Sequence, residues 1–147
     1  MQRRVLILAA GCAALLVGCQ HTEQEAAALT VTDSVVAHRA RQTRRFDTTD
    51  ETLLLQASVG VLQDLGYVIE ETRSAFGVVV GSKATPRRIR AQILVQGVPD
   101  GKSSMARATF QAASNGVAGL ETLDDPLLYQ QFFDRLSQSV FLTAHEI

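Results

Sequence analysis

The 147 residues contain two cysteines, Cys12 and Cys19, and none follows them. From residue 20 onward there is no thiol to act as a nucleophile and no disulfide to staple a small fold. Stability must therefore come from an ordinary packed core. No apolar run reaches the roughly 18 residues of a membrane-spanning helix. Neither sign of charge dominates: 14 Lys and Arg stand against 15 Asp and Glu, a formal net charge of −1. Nothing in that balance argues for a nucleic-acid partner, and none is expected, since such binders usually show a strongly basic domain. The chain has no internal repeat and no Gly-x-Ser-x-Gly elbow for a nucleophilic serine. Gly77 and Gly81 flank a strand without forming a phosphate loop. His21, His38 and His145 show no metal-ligand spacing and read as solvated side chains, so neither a metal nor a cofactor is expected.

The N-terminus does carry a signal. Arg3 and Arg4 precede an uncharged stretch from Val5 to Val17, the pattern of a secretory signal peptide. Leu16-Val17-Gly18-Cys19 closes it and resembles the lipobox of bacterial lipoprotein processing. That resemblance implies a diacylglyceryl thioether on Cys19, cleavage before it, and a third acyl chain on the new amine. Each buried methylene contributes about 0.8 kcal/mol, and two chains already anchor stably. Ala9-Ala10-Gly11-Cys12 is a rival site, but it lacks the large aliphatic residue and leaves only Val5 to Leu8 as the apolar region. Gln20 follows the expected anchor. Because an Asp there retains lipoproteins at the inner membrane in some bacteria, Gln20 favours the periplasmic face of the outer membrane, with the inner membrane as the alternative. Loss of Arg3 and Arg4 with the signal leaves 12 basic against 15 acidic residues, a net charge near −3.

The expected organisation is a signal peptide over 1–18, a lipidated Cys and polar tether over 19–40, and one domain over 41–147. Arg41 to Phe46 reads as the first strand. Thr48 and Glu51 match a capping box, and Leu54, Ala57 or Ser58, Val61, Leu62 and Leu65 recur at helical spacing up to Gly66. Tyr67–Arg73 and Val78–Lys83 read as two strands around a turn at Ser74-Ala-Phe-Gly77. Arg88 to Val98 alternates, with Ile89, Ala91, Ile93 and Val95 inward and Arg88, Arg90, Gln92 and Gln96 outward. Met105 to Ala113 alternates likewise, with Ala106, Ala108, Phe110 and Ala112 inward. One covered and one wet sheet face produces that pattern. Asp125-Pro126 starts a last helix whose stripe is Tyr129, Phe132, Phe133, Leu136, Val140 and Ala144. The fold expected is α+β: a single antiparallel sheet with two helices on one face, in the order β-α-β-β-β-β-α.

Several stretches resemble, as a set, a family of small proteobacterial lipoproteins. They are Gln42-Thr-Arg-Arg-Phe-Asp47, Val61-Leu-Gln-Asp-Leu-Gly-Tyr67, Gly81-Ser-Lys83, Asp125-Pro-Leu-Leu-Tyr-Gln-Gln-Phe-Phe133 and Leu136-Ser-Gln138. The family has no established activity, so the resemblance implies no catalytic residues. The family carries a longer segment after Ser-Lys, where this chain has only Ala84-Thr85-Pro86. The architecture also loosely resembles helix-grip domains of outer-membrane assembly lipoproteins, which bears on fold and leaves function open.

No carboxylate pair reads as catalytic. Glu70 and Glu71, adjacent on a strand, point to opposite faces, and Asp124 and Asp125 read as helix caps. Arginines carry the sharper expectation. Arg41 and Arg45 share a strand face, and Arg88, Arg90 and Arg107 lie on polar faces of theirs. If these faces coincide, the wet side of the sheet is a basic surface for an anionic partner; if not, it is a solvated sheet face. The expected function is a non-enzymatic binding or scaffold accessory of an envelope complex, joined to the membrane through Cys19. The alternative is a lipid- or small-molecule-binding module with its pocket between helices and sheet, where Ala91, Ala106, Ala108 and Ala112 leave room.

Overall fold

A computed structural model of the chain describes residues 33–84, 88–113 and 119–145. The expected signal peptide, the lipobox residues Leu16, Val17 and Gly18, and Cys19 lie outside the described residues. The described residues from Val36 onward belong to one compact unit. Helix α1 spans Asp33–Arg41, strand β1 Thr43–Phe46 and helix α2 Glu51–Asp64. Strands β2 (Val68–Arg73), β3 (Val78–Ala84), β4 (Arg88–Gly97), β5 (Ser104–Ala113) and β6 (Leu120–Thr122) follow, and helix α3 (Pro126–His145) comes last.

The fold is α+β with one antiparallel sheet, as the alternating strands require. Its order differs from the expected one by an added first helix and an added last strand. Helix α1 lacks an apolar stripe, and Val36 is 54% exposed; polar contacts of its last turn hold it. Arg41 accordingly ends a helix, and the first strand begins at Thr43. Strand β6 is three exposed residues, too short to show a period.

The strands lie in the order β1-β5-β4-β3-β2, with β6 also on β5. β1 and β6 share one edge of β5: Thr43 to Phe46 face Arg107 to Ser104, while Leu120 to Thr122 face Ala113 to Gln111. Between them, the Ala108 amide donates to Gln42 O and the Leu123 amide to Phe110 O, each at 2.8 Å. That edge is thus largely satisfied.

The inward residues of β4 and β5 are buried as their alternation predicts, except Ile89, which is half-buried at the margin, and α2 and α3 cover them. Leu54, Val61 and Leu62 from α2 and Tyr129, Phe132, Phe133 and Leu136 from α3 join Ala91, Ile93, Val95, Ala106, Ala108 and Phe110 in one core. Phe110 sits edge-on to Tyr129 (5.2 Å between centroids) and to Phe132 (5.9 Å). These rings fill the space above the sheet's alanines, a geometry that adds to plain burial.

Local chemistry sets the element ends. Helix α2 starts one residue after Asp50, whose carboxylate accepts from the Leu53 amide at 2.9 Å. Thr48 instead accepts from the Asp50 amide at 3.2 Å, so the expected Thr48–Glu51 box is replaced by an Asp50 cap with Thr48 behind it. Gly66 ends the helix at φ +82°, as predicted. At Gly77 (φ +63°) a Cβ would lie 2.1 Å from Val95 O, while Gly77 O accepts from the Val95 amide. Only glycine fits that approach.

Candidate functional site

Register fixes which side chains share the face turned away from the helices. Arg88, Arg90, Gln92, Leu94 and Gln96 of β4 stand beside Met105, Arg107, Thr109 and Gln111 of β5. Ser82, Val80 and Val78 continue the rows on β3, and Arg45, opposite Met105, lies on the same face. Arg45, Arg88, Arg90 and Arg107 therefore do share one face, but Arg41 does not.

The four arginines do not converge. Arg90 faces Gln111 and Leu94 faces Arg107, so Arg90 and Arg107 are four residues apart in register. At about 3.4 Å per residue they are about 14 Å apart. Val78, Val80 and Leu94 form an apolar strip between the two ends. Three of the four arginines are also hydrogen-bonded, two of them to carboxylates. Arg45 pairs with Asp100, Arg88 with Glu70 at 2.8 Å, and Arg107 donates to buried Gln42 at 3.3 Å. Arg90 stands opposite the Glu70 charge and makes no hydrogen bond among the described residues. The surface is a patchwork with one guanidinium left without a hydrogen bond, between the basic surface and the solvated sheet face that the sequence left open.

A β-bulge reshapes the carboxylates. Val68 and Ile69 face Ser82 and Gly81, but Val80 faces Glu71, which leaves Glu70 as the extra residue. Glu71 thereby falls on the outer face, in register with Val80, and pairs with Arg73. Glu70 reaches the same face, where its Oε1 accepts from Ser82 Oγ at 2.6 Å and from Arg88 at 2.8 Å. The expectation that the two glutamates point apart is thus overturned. One signal was available: Glu70-Glu71 puts two polar residues in succession and interrupts the strand's period of two. The Ser82 hydrogen bond, then that of Arg88, holds the Glu70 carboxyl below the usual carboxylate range.

Bulge, strands and β6 together build a concavity. Glu70, Ser82, Arg88, Arg90 and Leu120 line a cavity of about 280 Å³. It lies on the outer face, away from the packed space between helices and sheet. Its walls offer two guanidinium groups, one carboxylate, one hydroxyl and one branched apolar side chain.

A second polar cluster ties α1 to the domain. His38 Nδ1 lies 2.8 Å from Asp124 Oδ1, and Arg41 bonds the same oxygen. Gln42 Nε2 lies 2.8 Å from His38 Nε2 and donates weakly to Tyr129 Oη, which donates to Leu123 O at 3.0 Å. With the proton on Nδ1, every one of these contacts has a donor and an acceptor. His38 is thus bound rather than solvated, and Asp124 is its partner rather than a cap; Asp125 does cap, accepting from the Leu127 amide. Hydrogen bonds from His38 and Arg41 hold the Asp124 carboxyl below its usual range. Both imidazole nitrogens are occupied, so the cluster acts as a clamp. Among the described residues no group of three His, Cys, Asp or Glu could hold a metal ion. No protein-family model matches the chain, and no curated protein matches it.

Proposed function

We propose that this chain is a periplasmic lipoprotein, anchored through Cys19 at the outer membrane, that works as a non-enzymatic binding or scaffold accessory of an envelope complex. The lipobox sequence supports the anchor, and the resemblance to small proteobacterial lipoproteins supports the compartment. The observation that carries the binding role is the outer sheet face. It presents a cavity rimmed by Arg90, a guanidinium without a hydrogen-bond partner among the described residues. An exposed, uncompensated arginine beside a concavity is suited to an anionic partner. Among the described residues Ser82 Oγ is spent on Glu70, and no general acid or metal-ligand cluster stands beside them, so binding rather than turnover is the reading this face favours.

The experiment is in-cell crosslinking of the lipidated, tagged chain, with mass spectrometry of the captured proteins. Cys19→Ala behind a cleavable secretory signal is the control. Reproducible capture of one envelope complex is expected, lost in the control and in the folded double variant Arg88→Glu with Arg90→Glu. Equal capture by that variant would move the contact off the outer face.

One observation favours a second reading, a lipid pocket between helices and sheet. The hydroxyls of Tyr67 and Ser104 are buried without partners among the described residues, as donors awaiting a ligand oxygen would be. The aromatic rings that fill the same space weigh against it. Lipid detected by mass spectrometry of the purified protein would decide for the pocket.

A further inference from the structure

We infer that the cavity between β2, β4 and β6 binds a monocarboxylate with an apolar substituent, held by Arg90 and Leu120 and screened by Glu70. The inference deepens the reading of the outer face as the contact surface and rests on it. It requires neither the lipid anchor nor a complex.

Charge decides the class of ligand. Two guanidinium groups, Arg88 and Arg90, face one carboxylate, Glu70, across the cavity. Arg88 and Ser82 both spend a hydrogen bond on Glu70 Oε1. Their donation, with the positive charges of Arg88 and Arg90, favours the ionised form of Glu70. Among the described residues one positive charge is left, and it is that of Arg90. A single carboxylate neutralises it and can accept two parallel N–H bonds from the planar guanidinium. A phosphate monoester brings a second negative charge, which would then face Glu70. Glu70 is fixed in place by the bulge and by two hydrogen bonds, so it cannot swing away without leaving Arg88 and Ser82 unpaired. It therefore acts as a selectivity element against dianions, by repulsion rather than by lost contact.

Shape supplies the second half. Leu120 is 49% exposed and lines the same cavity. It has no polar role there, and covering it removes apolar surface from water. A volume of about 280 Å³ admits a small branched or short-chain acid rather than a bare ion. Two sources share that chemistry: a free aliphatic acid, and the terminal residue of a peptide with its α-carboxylate.

The test is titration of the full chain in neutral detergent, followed by amide chemical shifts at Ser82, Arg90 and Leu120. The probes are hexanoate for the free acid and N-acetyl-L-leucine for the peptide terminus, with hexanamide and phenyl phosphate as controls. Saturable shifts with one or both acids are expected, and whichever binds names the source. Hexanamide and phenyl phosphate should give none. Arg90→Gln should weaken the acid at least about tenfold, the usual cost of a charge-assisted bond. Glu70→Gln should leave the acid bound and admit phenyl phosphate. The inference is overturned if neither acid saturates, if hexanamide binds as well as hexanoate, or if Arg90→Gln binds unchanged. Exclusion of phosphate that persists in Glu70→Gln would overturn the screening role. Crosslinking that fails while hexanoate binds would remove the scaffold reading and leave the cavity standing, so the two failures are distinguishable.

Discussion

Tyr67 shows how far a single side chain can depart from the average rule for buried polar groups. It is 3% exposed, its ring lies 6.2 Å from that of Phe110, and its hydroxyl has no partner among the described residues. An unmet buried hydroxyl costs about 1–3 kcal/mol. Tyr67→Phe is therefore expected to leave stability unchanged or raise it by about 1 kcal/mol in urea denaturation. Burial also pushes the phenol up to about 12 from its ordinary 10.0. A folded-state value above the unfolded one means the neutral phenol's share of stability is intact below about pH 10 and lost as pH rises towards about 12. The unaltered chain should lose up to about 2 kcal/mol more than Tyr67→Phe across that window; parallel curves would show that Tyr67 does not titrate there. Other residue assignments were not legible in the sequence. Arg41 and His38 sit in a segment with no apolar period, and their role depends on Asp124, more than eighty positions away in the chain. Nothing local announces such a pairing.

Elements were legible where burial imposes a period, and obscure where polar contacts set the boundary. β4 and β5 each alternate over ten residues, and their faces follow from that alone. The start of α2 reads two residues early in the sequence, at Thr48, because its spacing to Glu51 matches a capping box, whereas the Leu53 amide donates to Asp50. The bulge in β2 rearranges the candidate site most, yet its only trace is the Glu70-Glu71 doublet. The end chemistry gives a direct check. Asp50→Ala should cost about 1 kcal/mol through the lost cap, whereas Thr48→Ala, which removes only a bond behind the cap, should cost less. Gly77→Ala should cost more than Gly66→Ala. Both force a left-handed backbone on alanine, at about 1–2 kcal/mol, but only Gly77 would also drive its new methyl into Val95 O. Thermal or urea denaturation of the four variants would rank them, and a Thr48 effect above that of Asp50 would reverse the cap assignment.

At the scale of the whole molecule, the two edges of the sheet are managed differently. One is shared out between β1 and β6 along β5. The other is β2, whose residues are nearly all exposed, including Val68 at 71%. An exposed edge strand invites pairing with a second chain. β2 carries two devices that resist it: the bulge at Glu70, which breaks the register, and a run of charges at Glu70, Glu71 and Arg73. Under the proposed anchoring the devices matter more, because chains held on one membrane surface meet at raised effective concentration. Deletion of Glu70 would restore continuous pairing, with Val68, Ile69 and Glu71 opposite Ser82, Gly81 and Val80, and would also remove a charge. Combined with Glu71→Thr, it should produce concentration-dependent self-association in sedimentation velocity, absent from the unaltered chain at the same concentrations. Glu71→Thr alone, which keeps the bulge, should associate less. If the combined variant sediments like the parent, the bulge serves only to swing Glu70 over the cavity, and its place in the molecule is explained by binding rather than by protection of the edge.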